Sequence, residues 1–305
     1  MGINLAQKYL PILDEIYKKE ALTAPLEVNP MNIKFINANT IQLFEMTLNG
    51  MGKYSRTNGF VAGAVENTWQ DHTLTQDRGR SFQVDVMDDE ETINMLFGKL
   101  VAEFFRTKVI PELDAYRFAT LAGTSNISGT AADITYGTTD PFALLDAADE
   151  QMGDDEVPRE GRILYVSELF YKAIKGKVTR TLANENGVQR NVEVLDDMIV
   201  RRAPKSRFCT GITMLDGSTD GQTGGGYKFT QSTSKPINFM IVHPSAVAAV
   251  TKHVTSRLFA PNVNQSADAY KYDYRLYHDI FVPEQKVKGI YVHKASTGLA
   301  ADITG

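Results

Sequence analysis

The chain has 305 residues, 43% hydrophobic, 10% aromatic and 23% charged, which is the composition of a folded globular protein and excludes disordered, collagenous and disulfide-scaffold classes. Its net charge of −5, from 32 basic and 37 acidic residues, argues against a protein that coats nucleic acid through its overall field. The single cysteine, Cys209, excludes an intramolecular disulfide and a multi-cysteine metal centre, and the five histidines (His72, His243, His253, His278, His293) lack zinc-binding spacing.

Lys8, Asp14, Glu15, Lys18 and Lys19 deny residues 1–20 the apolar core of a secretory signal. Leu5, Tyr9, Ile12, Leu13, Ile16 and Tyr17 instead predict an amphipathic helical arm over residues 3–22, and residues 23–30, with two prolines, predict an extended connector. Residues 33–48 are strand-like, with Ile41 and Leu43 on one face and Phe44, Met46 and Leu48 on the other, so both faces are expected to be partly covered. Residues 49–87 carry Gly50, Gly52, Gly59, Gly63 and Gly79 and cannot build a core of their own. They predict a long hairpin with its tip near Trp69, Gln70 and Asp71. An isolated ribbon is marginally stable in water, so this one is expected to lie across another subunit.

Asp88 and Glu91 have the spacing of a helix start, and the acidic run Asp85 to Glu91 is read as capping rather than as a magnesium site. A helix of some fifty ångströms is predicted from there, through Ile93, Leu96, Phe97, Leu100, Val101, Phe104 and Phe105, past Pro111, to Gly123. Residues 123–139 read as a loop, and Asp140-Pro141 opens a second helix that stops at Gly153. An α/β rhythm follows: a strand at 162–166, a helix at 167–175, strands at 189–194, 198–202 and 236–242, and a helix at 244–254. Alternating Tyr270, Tyr272, Tyr274 and Leu276, then strands at 280–282 and 290–292, predict a sheet that covers the long helix. Charge is segregated: residues 172–207 hold nine basic and four acidic residues, residues 140–160 eight acidic and one basic, and the two stretches are expected to meet across a subunit contact.

Motifs for chemistry fail on context. The loop Gly221-Gln222-Thr223-Gly224-Gly225-Gly226-Tyr227-Lys228 is not closed by G-K-[ST] and runs into a strand, which argues against a phosphate cradle. His243-Pro244-Ser245 and His278-Asp279 have no G-x-S-x-G elbow to complete a triad. Cys209, beside Phe208, reads as a small buried hydrophobe.

Residues Gly50-Met51-Gly52-Lys53-Tyr54-Ser55-Arg56-Thr57-Asn58-Gly59, then Trp69, Thr73, Asp77-Arg78-Gly79, Phe82, Asp85, Met87-Asp88 and Glu91-Thr92, resemble the extended-loop region of bacteriophage major capsid proteins of the Hong Kong 97 type. Val109-Ile110-Pro111-Glu112-Leu113-Asp114-Ala115-Tyr116-Arg117-Phe118-Ala119 is similar to the end of their spine helix. Tyr274-Arg275-Leu276-Tyr277-His278-Asp279-Ile280-Phe281-Val282 and Lys288-Gly289-Ile290-Tyr291-Val292-His293 are similar to their closing strands. The resemblance implies an α+β fold: an N-terminal arm (1–32), the start of a peripheral domain (33–48), an extended loop (49–87), the peripheral domain with its spine helix (88–135), an axial α/β domain (136–265) and closing strands (266–305). It implies a structural protein of the virion with no enzymatic activity and no cofactor, assembled in the host cytoplasm. Hexamers and pentamers would form an icosahedral shell around double-stranded DNA bound without sequence specificity, through a procapsid that expands. Scaffolding and portal proteins are the implied partners, and no membrane is involved. Arg56, Trp69, Asp77, Arg78 and Arg80 are the expected inter-subunit contacts. The alternative is an encapsulin-like shell around cargo enzymes. The body of the fold begins within some thirty residues of Met1, so either scaffolding is a separate protein or the chain is processed. Lys53, the only lysine of 49–87, is expected near the base of the hairpin, which argues against covalent cross-linking.

Overall fold

The computed structural model describes residues 21–27, 33–37, 39–57, 59–63, 65–87, 96–135, 137–176, 178–185 and 188–305. The expected arm helix up to residue 20 and the expected helix start at Asp88 to Glu91 lie outside these residues.

A long ribbon exists, but it is not the hairpin predicted within residues 49–87: its legs are residues 40–48 and 65–73. Strand β2 (Thr40–Leu48) pairs antiparallel with β3 (Val65–Thr73), from Thr40 opposite Thr73 to Leu48 opposite Val65, and the short β1 (Ile33–Phe35) pairs with β2. The tip is therefore the loop of residues 49–64, where Gly50, Gly52, Gly59 and Gly63 cluster, and Trp69 sits in mid-strand. Lys53 is in that distal loop rather than at the base, so the positional argument against cross-linking falls away. Strand β4 (Gln76–Asp85) is not a leg of this ribbon. It joins β14 (Ala269–Phe281), which also pairs with β13 (Ala248–Phe259), in a separate sheet. Residues 248–259 are thus a strand, where a helix is predicted over 244–254. Only Pro244–Ala246 forms a short 3-10 turn, after which β-branched Val247, Val250, Thr251, Val254 and Thr255 favour the pleated geometry.

Helix α1 (Leu96–Gly123) is continuous over roughly 42 Å. Pro111 does not interrupt it, because a wide π-type turn at Phe105–Val109 precedes the proline, and its register relieves the clash with the carbonyl four residues back. Along its first two thirds α1 packs Val101, Phe105 and Leu113 on Tyr272, Tyr274 and Leu276 of β14. The second half is buried all round, which is why its sequence shows little amphipathic period.

The largest sheet has seven strands in the order β5 (Ser128–Ala131), β15 (Ile290–Lys294), β12 (Ile237–Val242), β6 (Ile163–Ser167), β9 (Met198–Ala203), β8 (Val188–Leu195) and β7 (Thr179–Glu185). Helices α2 (Pro141–Asp154, capped by Asp140) and α3 (Glu168–Ile174, capped by Ser167) cover one face through Leu145, Met152, Phe170 and Ile174. The end of α1 covers the other, where Phe118 meets Tyr165 and Phe208 at ring separations of 5.0 and 4.9 Å. A small sheet of β10 (Ile212–Met214), β11 (Tyr227–Phe229) and β16 (Ile303–Thr304) closes against Ala115 and Ala119. The seven-stranded sheet thus draws β5 and β15 from outside the expected axial span of 136–265, while β13, inside that span, pairs in the other sheet. Strand β5 falls within the predicted loop of 123–139 because Ser128-Gly129-Thr130-Ala131 carries no strand signal. Gly129 is required there by close approach, since a Cβ would meet the Val292 carbonyl oxygen at 2.3 Å.

Candidate functional site

The ribbon has two unlike faces. On one, Ile41 and Leu43 are buried with Leu74, Ala248 and Val250, which fixes the ribbon base to its own body. Leu74 N–H donates to Asn39 O (2.8 Å) and Tyr277 Oη–H to Leu74 O (3.1 Å), closing that joint. On the other face, Phe44 stands opposite Trp69 with ring centroids 5.1 Å apart, and Gln42 donates to Asp71 at 2.6 Å. Beyond them Met46 and Leu48 face solvent, Leu48 at 62% exposure and Trp69 at 45%. The tip adds exposed Met51, Tyr54, Phe60 (89%) and Val61, with Tyr54 and Phe60 edge to face at 4.9 Å over a Ser55–Gly59 bridge. The apolar pattern on both faces is therefore real, with one face covered by the body and the other open to solvent. Single exposed apolar residues need no explanation, but a contiguous strip does.

Of the expected contact residues, Arg56 and Trp69 lie on this ribbon and are exposed. The other three hold the subunit together internally. Asp77 pairs with Arg275, which lowers the Asp77 carboxyl below its ordinary range through that hydrogen bond. Arg78 donates to Glu112 (2.6 Å), Leu215 O (2.7 Å) and Gly226 O (3.0 Å), and Arg80 to Thr223 O (3.3 Å). These arginines fasten the glycine-rich loop of residues 215–226 to β4. Gly217 turns at φ 75°, a left-handed conformation that accounts for a glycine there. The loop turns carbonyl oxygens toward cations and leads into a strand, the reverse of a phosphate cradle.

Sequence reasoning missed the buried ionic cluster that anchors the chain's entry. Residues Ala24–Glu27 form a 3-10 turn with Leu26 buried, where an extended connector was expected. Asp114 of α1 is fully buried and accepts from Leu22 N–H (3.1 Å), Thr23 N–H (3.1 Å), Thr23 Oγ1 (2.7 Å) and Arg207 (3.3 Å). Burial pushes its carboxyl pKa up, against the pull of those donors. Arg117, one turn on, donates to Thr23 Oγ1 and pairs with Glu27. The available signal was an Asp and an Arg three residues apart in an otherwise apolar helical stretch.

The catalytic candidates form local contacts. His243 Nδ1 and Ser245 Oγ are 2.6 Å apart, but the other ring nitrogen meets the Glu160 carbonyl, so no carboxylate orients the ring. Asp279 binds Thr75 and Tyr116 (2.7 Å) rather than His278. Cys209 is buried, and burial raises its thiol pKa to about 12. Among the described residues no three His, Cys, Asp or Glu side chains converge as metal ligands, and no helix is long and apolar enough to cross a membrane. Asp85 accepts from Met87 N–H (2.9 Å).

His278 is 2% exposed under α1, and burial, with Arg117 and Arg78 nearby, lowers its pKa to about 3. The unfolded chain takes up this proton near pH 6.5, whereas the folded chain refuses it until about pH 3, so stability falls as pH falls through that window. The expected loss from this group is about 1.4 kcal/mol per pH unit. Urea titrations of the subunit at pH 7 and pH 4.5 check it: His278→Gln should shrink the difference between the two by roughly 2 kcal/mol, and an unchanged difference would rule this group out.

No protein-family model matches the chain, and no curated protein matches it. Among solved structures it is similar to the capsid structure of the cyanophage P-SCSP1u, at TM-score 0.52 and 14% identity over 86% of this chain and 85% of that one. It is similar to a virus-like particle from Pyrococcus furiosus, at TM-score 0.53 and 12% identity over 94% and 98%. A structure from Gordonia phage Cozz matches at TM-score 0.53 and 10% identity over 83% and 81%. The fold is that of capsid shell subunits. It is the Hong Kong 97 type, α+β, as the residue resemblance implied.

Proposed function

We propose that this protein is the major shell subunit of a bacteriophage head, assembling as hexamers and pentamers into an icosahedral container for double-stranded DNA. The observation that carries the reading is the open apolar strip of the ribbon, Phe44, Trp69, Met46 and Leu48, continued by Met51, Tyr54, Phe60 and Val61 at the tip, on a capsid-type body. Fully burying side chains of this kind contributes about 1.5–3 kcal/mol each. Association costs roughly 4–15 kcal/mol, a sum that partial burial of the strip can meet and that many such contacts in a closed shell exceed. Packaging through a procapsid, with scaffolding and portal partners and DNA bound without sequence specificity, belongs to the same reading, as do assembly in the host cytoplasm and a purely structural role.

Negative-stain microscopy of the expressed protein tests it, together with analysis of what copurifies. Closed shells of uniform size that take up nucleic acid are the expected result. Shells that instead retain an enzyme would replace the phage reading with a cargo compartment, and a monodisperse monomer at every concentration would end it.

A further inference from the structure

Helix α2 carries Asp146, Glu150 and Asp154 in one exposed stripe, each four residues from the next, and Glu156 and Glu160 extend it past the helix end. The opposite face, Leu145, Ala148 and Met152, is buried on the sheet. Asp149 and Asp155 pair with Arg162, Arg159 and Lys288, but no ion pair among the described residues engages the five stripe carboxylates. In the single chain this arrangement is unfavourable twice over. Like charges four apart repel, and Asp154 stands at the negative end of the helix dipole with no basic residue in the last turn.

The cations lie on the other flank of the same layer. Lys172 and Lys175 on α3, Arg202 on β9 and Lys205 beyond it are exposed, against Glu168 and Glu193. Arg202 lies over the Tyr171 ring at 4.7 Å, and Tyr171 Oη donates to Glu193 on β8 (3.0 Å), which ties α3 to the β8–β9 side. Asp155 reaches Lys288, just ahead of β15, which ties α2 to the other side. The strand order separates β15 from β8 by four steps, roughly 19 Å at the usual strand spacing.

We propose that these two flanks are one interface: the acidic stripe of α2 on one copy docks on the Lys172, Lys175, Arg202 and Lys205 flank of the next. Different patches meeting on identical chains make a head-to-tail contact, which closes into rings when the rotation permits. The proposal rests on the shell reading and supplies it with the contact that joins neighbours within a ring. The partner is a second copy because the two patches belong to one chain and are complementary in sign.

Charge reversal tests it. The triple variant Asp146→Lys, Glu150→Lys, Asp154→Lys, and separately Lys172→Glu, Lys175→Glu, Lys205→Glu, should keep the wild-type circular dichroism. Each should need at least about tenfold more protein to form rings, corresponding to about 1.4 kcal/mol. All six changes in one chain should restore assembly. The two triple variants mixed should alternate around six-membered rings and fail to close five-membered ones, as native mass spectrometry reads. Wild-type assembly should also weaken in salt well above 0.1 M, where the screening length falls below about 10 Å. If a triple variant folds poorly, Glu150→Lys alone and the salt series read the same contact. Wild type and both triple variants assembling alike would overturn this interface and leave the shell reading standing. Wild type that never assembles would overturn both.

Discussion

Replacing residues 49–64 by a two-residue Asn-Gly turn should leave a folded subunit and abolish shells. Ile41, Leu43 and Leu74 still fasten the shortened ribbon to β13 and β14, so circular dichroism and the urea midpoint should stay near wild type. What disappears is Met51, Tyr54, Phe60 and Val61, whose exposed surface has no partner in its own chain's core. At about 1.5–3 kcal/mol per fully buried side chain, their loss removes on the order of 6 kcal/mol or more from each ribbon contact. Sedimentation velocity of the shortened protein, with whatever scaffold the wild type needs, should record small species only. Shells of normal size and yield from it would show that the ribbon tip does not join neighbouring copies.

Arg117→Ala should cost stability instead of assembly geometry. The side chain is 0% exposed, donates to Thr23 and pairs with Glu27, so truncation leaves polar groups of residues 23–27 short of a partner against α1. Breaking a buried pair by removing one member costs about 3–5 kcal/mol; Glu27 remains 29% exposed and recovers some hydration, so the low end, about 3 kcal/mol, is expected. The urea midpoint should fall accordingly, and amide exchange in residues 22–27 should accelerate before the rest of the molecule. Arg117→Met combined with Glu27→Leu should recover most of the loss, because replacing both charges by apolar groups removes the desolvation penalty together with the attraction. A midpoint unchanged by Arg117→Ala would show that Leu26 packing alone holds this segment.

Local signals carried much of this fold. Asp140-Pro141 and Ser167 capped their helices as their residue types demand, and the alternation of Tyr272, Tyr274 and Leu276 identified the face that covers α1. Failures came where tertiary pairing outweighed local pattern. Gln70 and Asp71 looked like a turn because they are polar, yet Asp71 is the cross-strand partner of Gln42 and the true tip is the glycine cluster to the N-terminal side. A helix is predicted over residues 244–254, but eleven aligned pairs with β14 along residues 248–259 stabilise a strand there. Arg78 and Arg80 also bind carbonyls more than 130 residues away in their own chain, which nothing local announces. The open strip itself was legible as apolar residues on both faces of one strand; which face the body would cover was not, because that depends on Ala248 and Val250, distant in sequence.

Trp69 is the only tryptophan, and it stands on the open face of the ribbon, so its fluorescence reports directly whether a neighbour covers that face. Emission and acrylamide quenching should be compared between dissociated subunits and assembled particles of the same preparation. On assembly the emission should shift to shorter wavelength and quenching should drop several-fold. Identical emission and quenching in the two states would mean that the strip stays wet in the particle, and that the ribbon is not what holds one copy to the next.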